Sequence, residues 1–294
     1  MTEVRDGVDG GGDEALWAAV MAHALPSVRL THSRAHGLVH GSAHGSVHSA
    51  ACGSVHGSAG GSAGGSAGGS ARGSARGSAG GSARGEGFRG TRLGGVALGD
   101  ERFVWPRTDG GRALSLVVQL DCDRVNEALG LETLPVGMLL AFFYDAVEMG
   151  GWENDPSDPQ WWRVVAVDAG SAVPVAAPEG AATFPAVACT GRRVLTIPDE
   201  SEAVVQPLWE RQPAGMDALC GKVEAPMHRV FGWPEFIQDP ARPGDGDWLL
   251  LLQVDSDNVT GWMWGDVGRL YYWIRRQDLV AGEFGRVRGI VQCH

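Results

Sequence analysis

Two apolar runs dominate the C-terminal third of the chain. Residues 248–254 read WLLLLQV, broken only by Gln253, and residues 270–274 read LYYWI. Between them lie Asp255, Asp257 and a Trp-Met-Trp-Gly-Asp loop. Runs of that length, bounded by Asp, Asn and Gly, predict buried strands joined by a structured loop. Simple alternation along the first run puts Leu250 and Leu252 on one face and Leu249 and Leu251 on the other.

The same grammar occurs earlier. Residues 118–126 align without a gap with 252–260, residues 137–143 with 268–274, and a strand-like run at 162–167 corresponds to one at 287–292. Three matches in one order predict two similar, mainly antiparallel β units, about 88–195 and 222–294, made by internal duplication. The period is far too long for a solenoid repeat. Gln119 and Gln253 interrupt apolar runs at matched positions. Each buried amide must find partners, so each is expected to pin a neighbouring loop or to line a polar pocket between the halves.

Helices are few. From Asp13, taken as an N-cap, Leu16, Trp17, Val20, Met21, Ala24 and Leu25 recur at helical spacing until Pro26 ends the pattern. A short strand at 28–31 follows. Further helical patterns lie at 121–129, capped by Asp121 or Asp123, at 201–212 and 214–221 either side of Pro213, and near 278–284. A last strand is expected at 287–293. Residues 168–192, rich in Ala, Pro and Gly, give no clear pattern. The fold class is therefore β-rich α+β.

From His36 to Gly87 the chain resolves into tetrapeptides such as HGSA, GGSA and RGSA. Codons for the varying first residue interconvert by single base changes, so an expanded twelve-nucleotide repeat that drifted explains the tract. His36, His40, His44, His48 and His56 could in principle form a metal array, but the Gly-Ser filler disfavours the helix that would align them. The tract reads as a disordered linker. The chain thus divides into a frayed start (1–12), a helix and strand belonging to the main domain (13–31), a disordered insertion (32–87) and the β-rich body (88–294).

Charge narrows the partners. The net charge is -11. Residues 32–92 carry about +5 of it and the remainder about -16, and an acidic body repels phosphate backbones and anionic lipid. Nucleic acid and membrane surfaces are thereby disfavoured; an unknown protein or small molecule is the expected partner. Five cysteines without a CxxC pair, behind an acidic start unlike a secretory signal, point to free thiols in the cytoplasm.

Several motifs carry a resemblance. They are Leu93-Gly94-Gly95 with Trp105-Pro106; His228-Arg229 with Gly232-Trp233-Pro234 and Gln238; residues 250–257; and residues 263–270 running on to Asp278-Leu279. Together they resemble the bacterial YwqG-like proteins, a family of unknown function. The resemblance covers residues 88–294 and extends to the leading helix and strand. The tetrapeptide tract is a departure from the family pattern, as is Ala97 where the family usually has Pro. It implies a single β-rich domain of two similar halves and no established activity.

Candidate chemistry is sparse. Asp255, Asp257 and Asp266 occupy positions 1, 3 and 12 of a calcium-like loop, but Val259 and Thr260 stand where a ligand oxygen and a Gly are needed. Paired Asp residues after a strand more often cap turns. His228 is the one histidine in the body available to a Ser-His-Asp or Cys-His arrangement, with Cys220 or an Asp as partner, yet no hydrolase motif surrounds it. Trp233, Trp264, Gln253 and Arg269 complete the set of candidate binding residues. No cofactor or metal is expected. The leading hypothesis is a non-enzymatic binding module. The alternative is a hydrolase-type enzyme using His228 with Asp255, Asp257 or Asp266, and a divalent cation if one is required.

Overall fold

The computed structural model describes residues 10–33, 90–151, 158–220 and 227–294. The tetrapeptide tract, with its histidines and Cys52, lies outside the described residues, as do the first nine positions. In chain order the elements are α1 (Gly10–Met21), β1 (Leu25–His32), β2 (Arg92–Leu93), β3 (Ala97–Gly99), β4 (Ser115–Asp121), α2 (Cys122–Leu129), β5 (Met138–Tyr144), β6 (Trp162–Asp168), β7 (Val173–Val175), β8 (Val187–Thr196), α3 (Gln206–Arg211), α4 (Pro213–Cys220), β9 (His228–Val230), β10 (Trp248–Asp255), β11 (Arg269–Arg275), α5 (Arg276–Ala281) and β12 (Arg288–Gln292).

Ten strands form one antiparallel sheet in the order β12-β11-β10-β9-β1-β8-β2-β4-β5-β6, while β3 and β7 pair separately. The large sheet curls into a nearly closed barrel. Its two edges approach where the Trp162 ring of β6 lies over Gly289 of β12, so closely that a Cβ on Gly289 would stand 2.5 Å from the indole. Across the interior, Phe142 and Tyr272 meet edge to face at 5.1 Å. One large cluster, including Val28, Leu93, Leu120, Phe142, Val230, Leu252, Trp264 and Tyr272, fills this core.

Reading inward from either edge meets a matching series of strands, with β1 and β8 at the centre. The local contacts match too. Arg92 donates to the Val96 carbonyl and to Gln119, whose Oε1 also accepts the Leu98 N–H. Arg229 donates to the Trp233 carbonyl, and Gln253 accepts the Glu235 N–H. In each half the two residues after the short strand have left-handed backbone, Gly94 and Gly95 at φ 59° and 82° and Phe231 and Gly232 at 59° and 81°. Such angles suit glycine and are uncommon for Phe. Each half also carries a β-bulge, between Leu116 and Val118 and between Leu250 and Leu252.

That bulge corrects the expected alternation. The extra residue turns Leu251 inward beside Leu252, and both join the barrel core while Leu250 packs on the outer side with Tyr271 and Trp273. Other boundaries shift as well. α1 begins at Gly10, so Asp13 lies inside it rather than capping it, and it stops at Met21, because residues from Leu25 onward pair with β8. Pro213 opens α4, where its missing N–H costs nothing, and does not merely interrupt a helical stretch. The patternless stretch up to 192 contains β7 and most of the ten-residue β8, whose burial is too irregular to show a period of two. Asp121 caps α2 by accepting the N–H groups of Asp123 and Arg124, while no helix follows Asp255.

β1 sits between β8 and β9 and reaches His32. Val28 and Leu30 are buried in the barrel core, and Leu16 and Val20 of α1 pack on Met216 and Leu219 of α4.

Candidate functional site

Strand alternation divides the candidate residues between the two faces of the sheet. In β9, His228 and Val230 stand opposite Leu30 and Val28 and face the barrel interior, whereas Arg229, opposite Arg29 and Gln253, faces outward. The His228-Arg229 pair is therefore split across the sheet.

On the outer face Arg229, Glu235, Gln253, Asp255 and Arg269 form one network. Arg229 Nη2 donates to Glu235 Oε2 at 2.7 Å, Arg269 Nη2 to Asp255 Oδ2 at 2.8 Å, and the Tyr271 hydroxyl to the Glu235 carbonyl at 2.7 Å. Burial pushes the Asp255 carboxyl up, against the pull of Arg269, and pushes the Arg229 guanidinium down, against the pull of Glu235. Gln253 and Arg269 thus pin the segment after β9 to the sheet, as Arg92 and Gln119 pin the segment after β2.

The remaining candidates separate further. The Trp233 indole donates to the His23 carbonyl at 2.8 Å and ties the segment after β9 to the turn before β1. Trp264 is 1% exposed and stacks on Trp262 with ring centres 5.3 Å apart, so it is core and not a binding surface. Asp266 is exposed, and its carbonyl accepts the His294 N–H. Cys220 closes α4.

On the inner face, at one end of the barrel, His32, His228 and Asp257 converge. Asp257 Oδ2 lies 2.6 Å from His32 Nε2 and 3.0 Å from His228 Nε2, and Asp257 Oδ1 accepts the Val259 N–H at 2.7 Å. Burial alone would raise the Asp257 carboxyl; the His228 hydrogen bond, the Val259 amide and the nearby histidines overcome it and hold the group at about 2. It is ionised at neutral pH and can only accept. The backbone N–H of Asp255 donates to His228 Nδ1 at 3.2 Å. A backbone N–H can only donate, so Nδ1 carries the lone pair and Nε2 the proton that goes to Asp257. Both nitrogens of His228 are occupied. In the other half, the Thr91 hydroxyl takes the Asp121 N–H in the same way.

His32 is different. Its Nε2 must donate to the carboxylate, its side chain is 32% exposed, and its Nδ1 has no partner among the described residues. Cys189 lies opposite His32 in β8, and burial, with Asp257 nearby, pushes its thiol up to about 12. It is not a ready nucleophile at neutral pH.

The donor atoms of His32, His228 and Asp257 lie within 4.8 Å of one another, close enough to test against a metal. They do not fit. Tetrahedral ligands about 2.0 Å from zinc stand roughly 3.3 Å apart, whereas His32 and Asp257 are at hydrogen-bonding distance. A ligating histidine donates its second N–H to an acceptor; His228 Nδ1 faces a donor.

Residues 91–293 match the family model described as a domain of unknown function (DUF1963). The chain belongs to that family. No match to a curated protein was found. The DUF1963 match begins after β1, so His32 comes from outside it. His32 adjoins the repeat tract, which hides it in the sequence. The available signal was the alternation of Val28, Leu30 and His32, which places all three on one face.

Proposed function

We propose that this DUF1963 chain is a non-enzymatic binding module whose ligand-contacting group is His32, supported from behind by Asp257 and His228. One observation carries the reading: the His32 side chain is about one-third exposed, and its Nδ1 has no hydrogen-bond partner among the described residues. The segments holding His228 and Asp257 also expose Met227, Val259 and Met263, which offers apolar surface on the same segments. The hydrolase alternative has less support. His228, its intended base, has no free lone pair, and Asp255 is engaged with Arg269.

A small molecule or a segment of a protein is the occupant that suits this site. A cytoplasmic location and kinship with the bacterial YwqG-like proteins remain parts of this proposal. No helix among the described residues is long and apolar enough to cross a membrane. Duplication of one β unit is also part of it, supported by the matched Arg92–Gln119 and Arg229–Gln253 contacts, the matched bulges and the palindromic strand order. In this reading β1 heads the first unit and β8 the second. Thr31 and Thr190, which pair with hydroxyls 3.2 Å apart, then lie on the pseudo-twofold axis.

A thermal-shift screen of the full chain against a metabolite panel tests the binding reading. A compound that stabilises the native chain and loses its effect in His32→Gln supports it. Stabilisation unchanged in His32→Gln places the site elsewhere, and conversion of a panel compound to product refutes the non-enzymatic reading.

A further inference from the structure

We infer that His32 presents a fixed hydrogen-bond acceptor, the Nδ1 lone pair, and that the site takes a neutral, hydroxyl-bearing ligand; this rests on the binding reading above. The Asp255 N–H fixes the tautomer of His228, so His228 donates to Asp257 through Nε2. The Val259 N–H holds the other carboxylate oxygen. Asp257, fastened at both oxygens, faces His32 Nε2 as an acceptor only, so in its neutral form the His32 ring keeps its proton on that nitrogen. Its lone pair is thereby left at Nδ1 on a side chain one-third exposed.

A ligand meeting that nitrogen must bring a donor. A hydroxyl does so without added charge. A carboxylate would lack a donor, and a phosphate, although it keeps one O–H, would bring its negative charge toward an ionised Asp257 whose two imidazole N–H partners are already committed to it. Removal of the carboxylate would free the His32 tautomer, so Asp257 and His228 are positioning residues here.

Diethyl pyrocarbonate, a small neutral acylating agent, reports the lone pair directly. Nδ1 attacks a carbonyl carbon and an N–C bond forms. The displaced ethyl carbonate, with the Nε2 proton, breaks down to carbon dioxide and ethanol. Applied to the full chain at pH 8 with peptide-resolved mass spectrometry, His32 should react at a rate within about threefold of exposed His294, and His228 at least about tenfold more slowly, since its lone pair is engaged. Inorganic phosphate should leave the His32 rate unchanged within about twofold. Equal rates for His32 and His228, or an inert His32, would overturn the tautomer assignment. Strong protection by phosphate would overturn the ligand class. Either failure is separate from that of the binding reading, which falls only if ligand stabilisation ignores His32→Gln.

Discussion

Replacing Asp257 by Asn removes the charge on which two histidines and a backbone amide converge while keeping the side chain's shape. In the folded chain the carboxyl is held at about 2, against 3.8 for the free group. Each pKa unit corresponds to about 1.4 kcal/mol, so the native environment favours the ionised form by roughly 2 kcal/mol. The sign follows from the depressed value. That stabilisation is fully present above about pH 4 and is lost as pH falls toward 2. Urea denaturation of the native chain and of Asp257→Asn, followed by tryptophan fluorescence at several pH values between 2 and 7, measures it as a difference in stability. The native chain should exceed the variant by about 2 kcal/mol near neutrality, and the gap should close between pH 4 and pH 2. A gap that is absent at pH 7, or that persists unchanged at pH 2, would show that the three hydrogen bonds do not hold the carboxylate as described.

Leu251 is fully buried and turned inward by the bulge, so Leu251→Ala should cost about 2–5 kcal/mol in urea denaturation; a loss below about 1 kcal/mol would make that strand peripheral. Gln119→Leu and Gln253→Leu each strand a backbone N–H, of Leu98 and of Glu235, and should each cost about 1–3 kcal/mol. A large loss at one position and none at the other would break the proposed equivalence of the halves. Deleting residues 36–87 should leave stability equal or slightly higher, because the lengthened connection costs roughly 1.8 kcal/mol over three doublings. A chain starting at Gly90 lacks β1 from between β8 and β9 and should lose several kcal/mol or aggregate; full stability there would refute the insertion reading.

Much of the β framework was legible from local pattern. β4, β5, β10 and β11 are continuous apolar runs because both of their faces are covered, and length and turn residues sufficed to place them. The two glutamines were legible as loop anchors, since a buried amide has no other stable fate. The bulges were not, because one extra residue leaves no mark in a run of leucines. β8 escaped for the opposite reason: at Arg192 and Arg193 it is exposed, so its identity as a strand depends on its partner β1 and not on its own pattern. The candidate site was half legible. His228 and Asp257 were both singled out, while His32, which alternates with Val28 and Leu30, was hidden by the repeat tract it adjoins. The charges of Asp255 and Arg269 meet each other on the far face, a separation that one step of strand alternation produces and a list of polar residues conceals.

The central claim is that Asp257 receives an Nε2 proton from each of two histidines, leaving one occupied and one open Nδ1. Long-range two-bond 1H–15N correlation spectra of the full chain at pH 8, with His32→Gln and His228→Gln used to assign the rings, read each tautomer directly. The account predicts the Nε2–H form for both His32 and His228, with only the His32 Nδ1 signal moving when a stabilising compound from the panel is added. An Nδ1–H form at His228, or a pattern that does not change when Asp257 becomes Asn, would contradict it.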